Sequence, residues 1–230
     1  MIKKLRKVLI WIVSSFIGIT IIAFSFLFYT YKSYSKYIDT EELDKYSLRT
    51  KLTETANLLK QGLHDRYIYR DYISSLDINP NHHVLDFGTG WGNDAVFIAE
   101  RLSKESGKLT CLDIDNFALS IAKKRLDEYE NISFICGDIT KLDIPENTYD
   151  AIVVYFVFHC IDRELLEATI NELNIVLKKG GKLFVREPLS NSAEHSELLT
   201  TDEIHNLMVG IGFKEISLVS SLTIDGIYQK

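Results

Sequence analysis

The chain predicts a doubly wound α/β domain, a mostly parallel seven-stranded sheet with helices on both faces and the last strand antiparallel. Three observations carry this expectation. From residue 82 onward short apolar runs alternate regularly with stretches of helical spacing, which is the pattern of βαβ units. One of these runs, DAIVVYFV at 150–157, is apolar without a break, as a central strand covered on both faces must be. Directly after the first strand comes GTGWG at 88–92, where a tight βα turn at the carboxyl edge of such a sheet favours residues that lack a Cβ.

The elements follow in order. Strand one covers residues 83–87, and the helix of about 93–102 aligns Ala95, Ile98, Ala99 and Leu102 on one face. Strand two is placed at 108–114, and a helix at 116–129 turns Leu119, Ala122 and Leu126 inward. Strand three is 132–137 and strand four 150–157. A helix at 162–179 repeats Leu166, Ile170, Leu173 and Leu177, and Gly180-Gly181 is its expected stop. KLFVREP is strand five. TTDEI at 200–204 reads as a capping box, with Thr200 as N-cap and Glu203 at the third position, and Gly212 closes that helix. Two further strands fill the tail, and helices are expected between the first six strands.

With 230 residues, 46% of them hydrophobic and 25% charged, the chain suits one globular domain with an appendage. Net charge is -6, but Lys3, Lys4, Arg6 and Lys7 supply four positive charges at the N-terminus, so the remainder carries -10. An acidic body argues against nucleic acid as a partner. Cys111, Cys136 and Cys160 are odd in number and form no CxxC pair, so they read as small buried hydrophobes in a reducing compartment, with neither a disulfide framework nor a metal site.

The appendage is residues 8–29, an uncharged apolar run of 22 residues, long enough to span a bilayer. Trp11, Tyr29, Tyr31 and Tyr34 suit its interfaces, and the run is too long and its exit too bulky for a cleaved signal peptide. Three regions result: 1–31, basic cluster and transmembrane helix; 32–78, juxtamembrane linker and helices over the site; and 79–230, the catalytic domain. The excess of basic residues before the span mildly favours a cytoplasmic N-terminus.

The glycine loop excludes two ligand classes. A dinucleotide fingerprint, G-x-G-x-x-G, would put its third glycine at Asn93, and no Gly-Lys-Ser/Thr follows to make a P-loop. Asp86, inside the strand end, would repel phosphates but suits a ligand bearing an ammonium group. A carboxylate within an apolar strand end is costly without a partner.

VLDFGTGWG resembles motif I of the class I S-adenosylmethionine-dependent methyltransferases, and LTCLDID, FICGDI, YDAIVVYFVFHCI and LKKGGKLFV resemble that family's later motifs in order and spacing. The resemblance covers roughly residues 60–230. It implies S-adenosylmethionine as cofactor, with Asp86, Gly88, Thr89 and Gly90 around its methionine part. It puts Asp113 on the ribose, Ile114 against the adenine, Asp138 with Ile139 at the adenine amino group, and Tyr155 facing the transferred methyl. Asp113 and Asp138 could instead cap a helix and a turn, and Asp115 could take the capping duty from Asp113. Trp91 could wall the cofactor or cap the sheet edge.

His159 and Glu187, at the ends of strands four and five, are the candidates for a general base, with packing and capping as their other reading. No N/D-P-P-Y follows strand four, which further demotes amino methylation of nucleic acid. The acceptor expected is a small or lipophilic molecule, a membrane lipid or a quinone-like compound, bound by residues of about 35–80 and 188–200. Tyr67, Tyr69 and Tyr72 could close over the cofactor or pack at an interface. Because this cofactor is made in the cytosol, the catalytic domain is expected there, against the charge bias. The competing readings are an NAD(P)-dependent oxidoreductase and a non-catalytic relative that binds partners.

Overall fold

The computed structural model describes residues 25, 68–189 and 198–230, and the chain divides into two units, Met1–Tyr67 and Ile68–Lys230. Apart from residue 25, the expected span at 8–29 lies outside the described residues, as do the expected linker and helices of 32–78 up to residue 67 and most of the 188–200 stretch. Among the described residues no helix is long and apolar enough to cross a membrane.

The second unit opens with α1 (Arg70–Ser75) and β1 (His83–Phe87). Then come α2 (Ala95–Leu102), β2 (Lys108–Asp113), α3 (Asn116–Arg125) and β3 (Ile132–Cys136). The remaining elements are β4 (Tyr149–Tyr155), α4 (Arg163–Val176), β5 (Leu177–Pro188), α5 (Thr201–Ile211), β6 (Lys214–Ser220) and β7 (Thr223–Gln229). Strand order is β3-β2-β1-β4-β5-β7-β6. The first five strands pair in parallel, and β7 runs antiparallel between β5 and β6. The last strand is thus the reversed one, as expected.

Alternation along each strand builds two cores. Leu85, Ile152, Val154, Leu183 and Val185 face α4 and α5, whereas Val84, Leu109, Cys111, Val153 and Phe184 face α1, α2 and α3. β4 is buried from Ala151 to Tyr155 on both faces, which explains its unbroken apolar run. Because β1 lies between β2 and β4, the chain leaves β1 to one side and later returns on the other. The crevice between the carboxyl ends of β1 and β4 is the switch in strand order where ligands bind in such sheets.

Two expectations need correction. Between β3 and β4 stands only a 3-10 turn, Ile139–Lys141, in place of a helix, since residues 142–148 are polar and interrupted by Pro145. Nor does Gly180-Gly181 stop α4. The helix ends at Val176 because the N–H groups of Asn147 and Thr148 donate to the carbonyls of Ile175 and Val176, while Lys230 Nζ donates to those of Ile175 and Leu177. The glycine pair instead bulges within β5, where pairing jumps from Tyr149↔Leu177 to Ala151↔Lys182. The capping box of Thr200 and Glu203 and the left-handed Gly212 close α5 at its two ends as anticipated.

Tyr228 of β7 is fully buried, and its hydroxyl has no partner among the described residues. Tyr228→Phe removes an unsatisfied oxygen without changing the shape of the ring. The substitution is expected to stabilise the domain by about 1 kcal/mol, seen as a rise in thermal midpoint.

Candidate functional site

The loop after β1 is wrapped onto the end of β2. The N–H groups of Gly88 and Thr89 both donate to the Leu112 carbonyl, at 2.8 and 3.1 Å, and that of Gly90 donates to Asp113 Oδ2 at 2.7 Å. This path needs left-handed backbone at alternate positions, with φ of +77° at Gly88, +53° at Gly90 and +73° at Gly92. At Gly88 a side chain is excluded twice over, because a Cβ would also overlap the Cγ methyls of Val157 in the turn after β4.

A cavity of about 450 Å³ opens at this edge. Phe87 and Gly88 supply its floor from β1, Asp113 and Ile114 its wall from β2, and Asp138 and Ile139 its wall from β3, with Phe156 and Cys160 opposite. Of the residues named from sequence, Gly88, Asp113, Ile114, Asp138 and Ile139 are therefore brought together around one space. Its size is ordinary for a nucleotide-sized ligand. Asp113 uses Oδ1 to accept from the Asp115 N–H, while Asp115 caps α3 through the Phe117 N–H, so the capping duty belongs to Asp115. Asp138 does cap its 3-10 turn, accepting from the Thr140 N–H and hydroxyl and pairing with Lys141 at 3.0 Å. These hydrogen bonds, those from Thr140 first, hold its carboxyl below the ordinary range.

Other named residues are placed elsewhere. Thr89 is buried and donates its hydroxyl to the Asp86 carbonyl. Trp91 does not line the cavity; its carbonyl accepts from Arg125. Tyr155 is also off the lining, packed among Tyr69, Tyr72 and Phe156 with ring centroids 4.8, 5.3 and 4.6 Å away. Arg186 secures this aromatic group: its guanidinium grips Asp225 at 2.6 and 2.7 Å and lies 3.9 Å from the Tyr72 ring centre. Arg101 completes the attachment of α1 by donating to the carbonyls of Ile73 and Leu76.

Glu187 and His159 meet directly but not as acid and base. The Glu187 carboxylate, 0% exposed, accepts from the N–H groups of Val157, Phe158 and His159 and from His159 Nδ1 at 2.7 Å. It caps the 3-10 turn Phe158–Cys160, and all its acceptor capacity is directed inward. A hydrogen bond to Cys160 and the one to Glu187 push the His159 imidazole up to about 10, so it is a cation at neutral pH. A charged imidazole donates hydrogen bonds and cannot take a proton.

Three features escaped sequence reasoning. Asp94 is buried beside Asp86, since an acidic residue ahead of an apolar helix looks like a solvent-facing cap, and the cap is what Asp94 also is. Phe156, 38% exposed on the cavity, has a positive φ of +58°, a strained backbone that strand periodicity cannot signal. The cysteines are also not uniformly buried. Cys111 is, but Cys136 and Cys160 are exposed, the first at the end of β3 and the second at the end of the 3-10 turn after β4. All three are free thiols, and no cluster among the described residues is placed to hold a metal.

The Glu187 ion pair has a measurable signature. Glu187→Gln is expected to destabilise the domain by about 3 kcal/mol in thermal or urea unfolding, since it leaves an imidazolium without its buried counter-charge. The His159 pKa is raised in the folded state, so its contribution is full below about pH 6.5 and is lost as pH climbs toward 10. Unfolding midpoints across that window should fall in the native protein and flatten in His159→Gln.

The chain is similar to known methyltransferases. Residues 84–181 match a family described as a methyltransferase domain. The ubiquinone/menaquinone biosynthesis C-methyltransferase UbiE of Cellvibrio japonicus is 31% identical over 159 residues, 67% of this chain and 61% of that protein. A probable ribosomal RNA small subunit methyltransferase A of Methanosarcina mazei is 31% identical over 111 residues, 48% of this chain and 37% of that one. The chain thus spans at most about six-tenths of these relatives' length. Among solved structures, a SAM dependent methyltransferase from Aquifex aeolicus superposes with a TM-score of 0.63 at 20% identity, covering 72% of this chain and 90% of that one. Residues 84–181 are accordingly similar to a methyltransferase domain, and the second unit has the fold seen in a SAM dependent methyltransferase.

Proposed function

We propose that the protein is an S-adenosylmethionine-dependent methyltransferase, held at a membrane by residues 8–29 with its domain in the cytosol, that methylates a small, lipophilic acceptor. The observation that carries the cofactor is the cavity bounded by Gly88, Asp113, Ile114, Asp138 and Ile139. The residues suit the group. Gly88 lines the cavity with bare backbone, since a Cβ there would strike Val157; Asp113 and Asp138 offer carboxylate lone pairs at the wall, and Asp86 keeps a buried oxygen without a donor.

The bound cofactor supplies a sulfonium methyl already activated for in-line displacement. What remains for the chain is alignment and exclusion of water. Gly88 and Gly90 allow close backbone approach, Ile114 and Ile139 take an adenine between them, and the cluster of Tyr69, Tyr72, Tyr155 and Phe156 walls the end of β4. His159 and Glu187 hold the turn that carries Phe156 and Val157, and neither serves as a base. The imidazolium favours an acceptor whose reacting group carries negative charge.

Support for a lipophilic acceptor comes from apolar side chains left open at the cavity and not given to the adenine: Phe156 is 38% and Leu165 52% exposed. The quinone-linked name of the Cellvibrio japonicus relative points the same way. An RNA acceptor, suggested by the other relative's name, suits poorly a chain with charge -10 outside its first seven residues.

Calorimetry should detect S-adenosylhomocysteine binding and no binding of NAD; the reverse would favour the oxidoreductase. Asp113→Ala is expected to weaken that binding by about 2 kcal/mol, roughly 30-fold, and Gly88→Ala to abolish it. Isotope transfer by the full chain should be faster to micellar than to soluble acceptors, and equal rates would sink the lipid reading.

A further inference from the structure

The loop covers a second feature, on the sheet face opposite α4 and α5. Asp86 is 1% exposed and shares a face with Val84, toward α1, α2 and α3. Its Oδ2 has no donor, although Phe87 and Gly88, next in the chain, line the cavity. The carboxyl beside it is that of Asp94, itself buried, whose Oδ1 accepts from the Ala95 N–H. Among the described residues no cation is ion-paired with either.

Every element around the pair adds to the same difficulty. On β2, Cys111 pairs in register with Asp86, and burial holds its thiol neutral; Asp113 brings a third carboxylate. From α1 and β4 come the hydroxyls of Tyr72 and Tyr155, both held neutral chiefly by burial. Thr89 adds only a hydroxyl. Arg125 of α3 is the nearby cation, and it donates to the Trp91 carbonyl and Asn93 Oδ1. Two carboxyls in so dry a place need either a proton between them or a cation on them.

We propose that Asp94 joins Asp86 in seating the α-ammonium group of the cofactor, and that the pair holds one proton which leaves to solvent when the ammonium arrives. The inference rests on the cofactor assignment above. The exchange balances: a carboxylic acid and a carboxylate become two carboxylates, the ammonium keeps its three protons, and one proton enters the buffer. Burial first, and the mutual charge second, raise Asp86 well above the ordinary carboxylate range, while burial raises Asp94 to about 6, in keeping with a shared proton at neutral pH.

The experiment is calorimetry of the full chain at pH 7 in buffers of different ionisation enthalpy. S-adenosylhomocysteine should release close to one proton per molecule bound. 5′-Methylthioadenosine, which lacks the amino-acid portion, should bind without release. Asp94→Asn should lose the proton release and about tenfold in affinity for S-adenosylhomocysteine, with methylthioadenosine affinity preserved as a check on folding. The same variant should melt higher when ligand-free at pH 7, since an acid whose pKa rises on folding costs stability as pH climbs from about 4. Absence of proton release in the native protein, or unchanged affinity in Asp94→Asn, would overturn the inference while leaving the cofactor assignment intact. Failure of S-adenosylhomocysteine to bind the native protein would remove both.

Discussion

The site depends on one close approach, between the loop after β1 and the turn after β4. Gly88 lies so near Val157 that no side chain fits between them. Val157 is held there because its N–H, with those of Phe158 and His159, points into the buried Glu187 carboxylate at the end of β5. The carboxyl ends of β1, β4 and β5 are thereby tied together by a single charged acceptor. A carboxylate with four N–H donors in a dry interior is worth far more than a surface ion pair, and far costlier to disturb.

That tie also separates structural from chemical duty among the polar residues of the edge. Glu187 and His159 have the residue types of a base and its partner, yet their geometry consumes them in holding backbone. Asp113 and Asp138 act on both sides: each takes local N–H groups, and each still borders the cavity. Carboxylates with two oxygens and four lone pairs can do this, which is why capping and ligand binding are not exclusive readings. Among the described residues, Asp86 and Asp94 are buried side by side with no cation paired to either.

The aromatic group over β4 is assembled by charge rather than by apolar packing alone. Arg186 joins β5 to β7 through Asp225 and presents its guanidinium face to Tyr72, so α1 is drawn onto the end of the sheet. Arg101 caps the same short helix from α2. These two arginines fasten the C-terminal end of that helical segment to α2 and the sheet.

The periodicity of the chain determined the seven strands, the capping box of α5 and the glycine turn, because each depends on residues adjacent in sequence. The order of motifs likewise indicated Gly88, Asp113, Ile114, Asp138 and Ile139, which the fold gathers around one cavity. Tertiary structure alone decided where α4 stops, since its last carbonyls are taken by Lys230 and by the turn at Asn147 and Thr148. It decided that His159 is a cation, since Glu187 reaches it from a strand 28 residues away. It also decided that Asp94 stands against Asp86. Backbone preference and hydrophobic period are local quantities, whereas the state of a titratable group is set by whatever the whole chain packs around it.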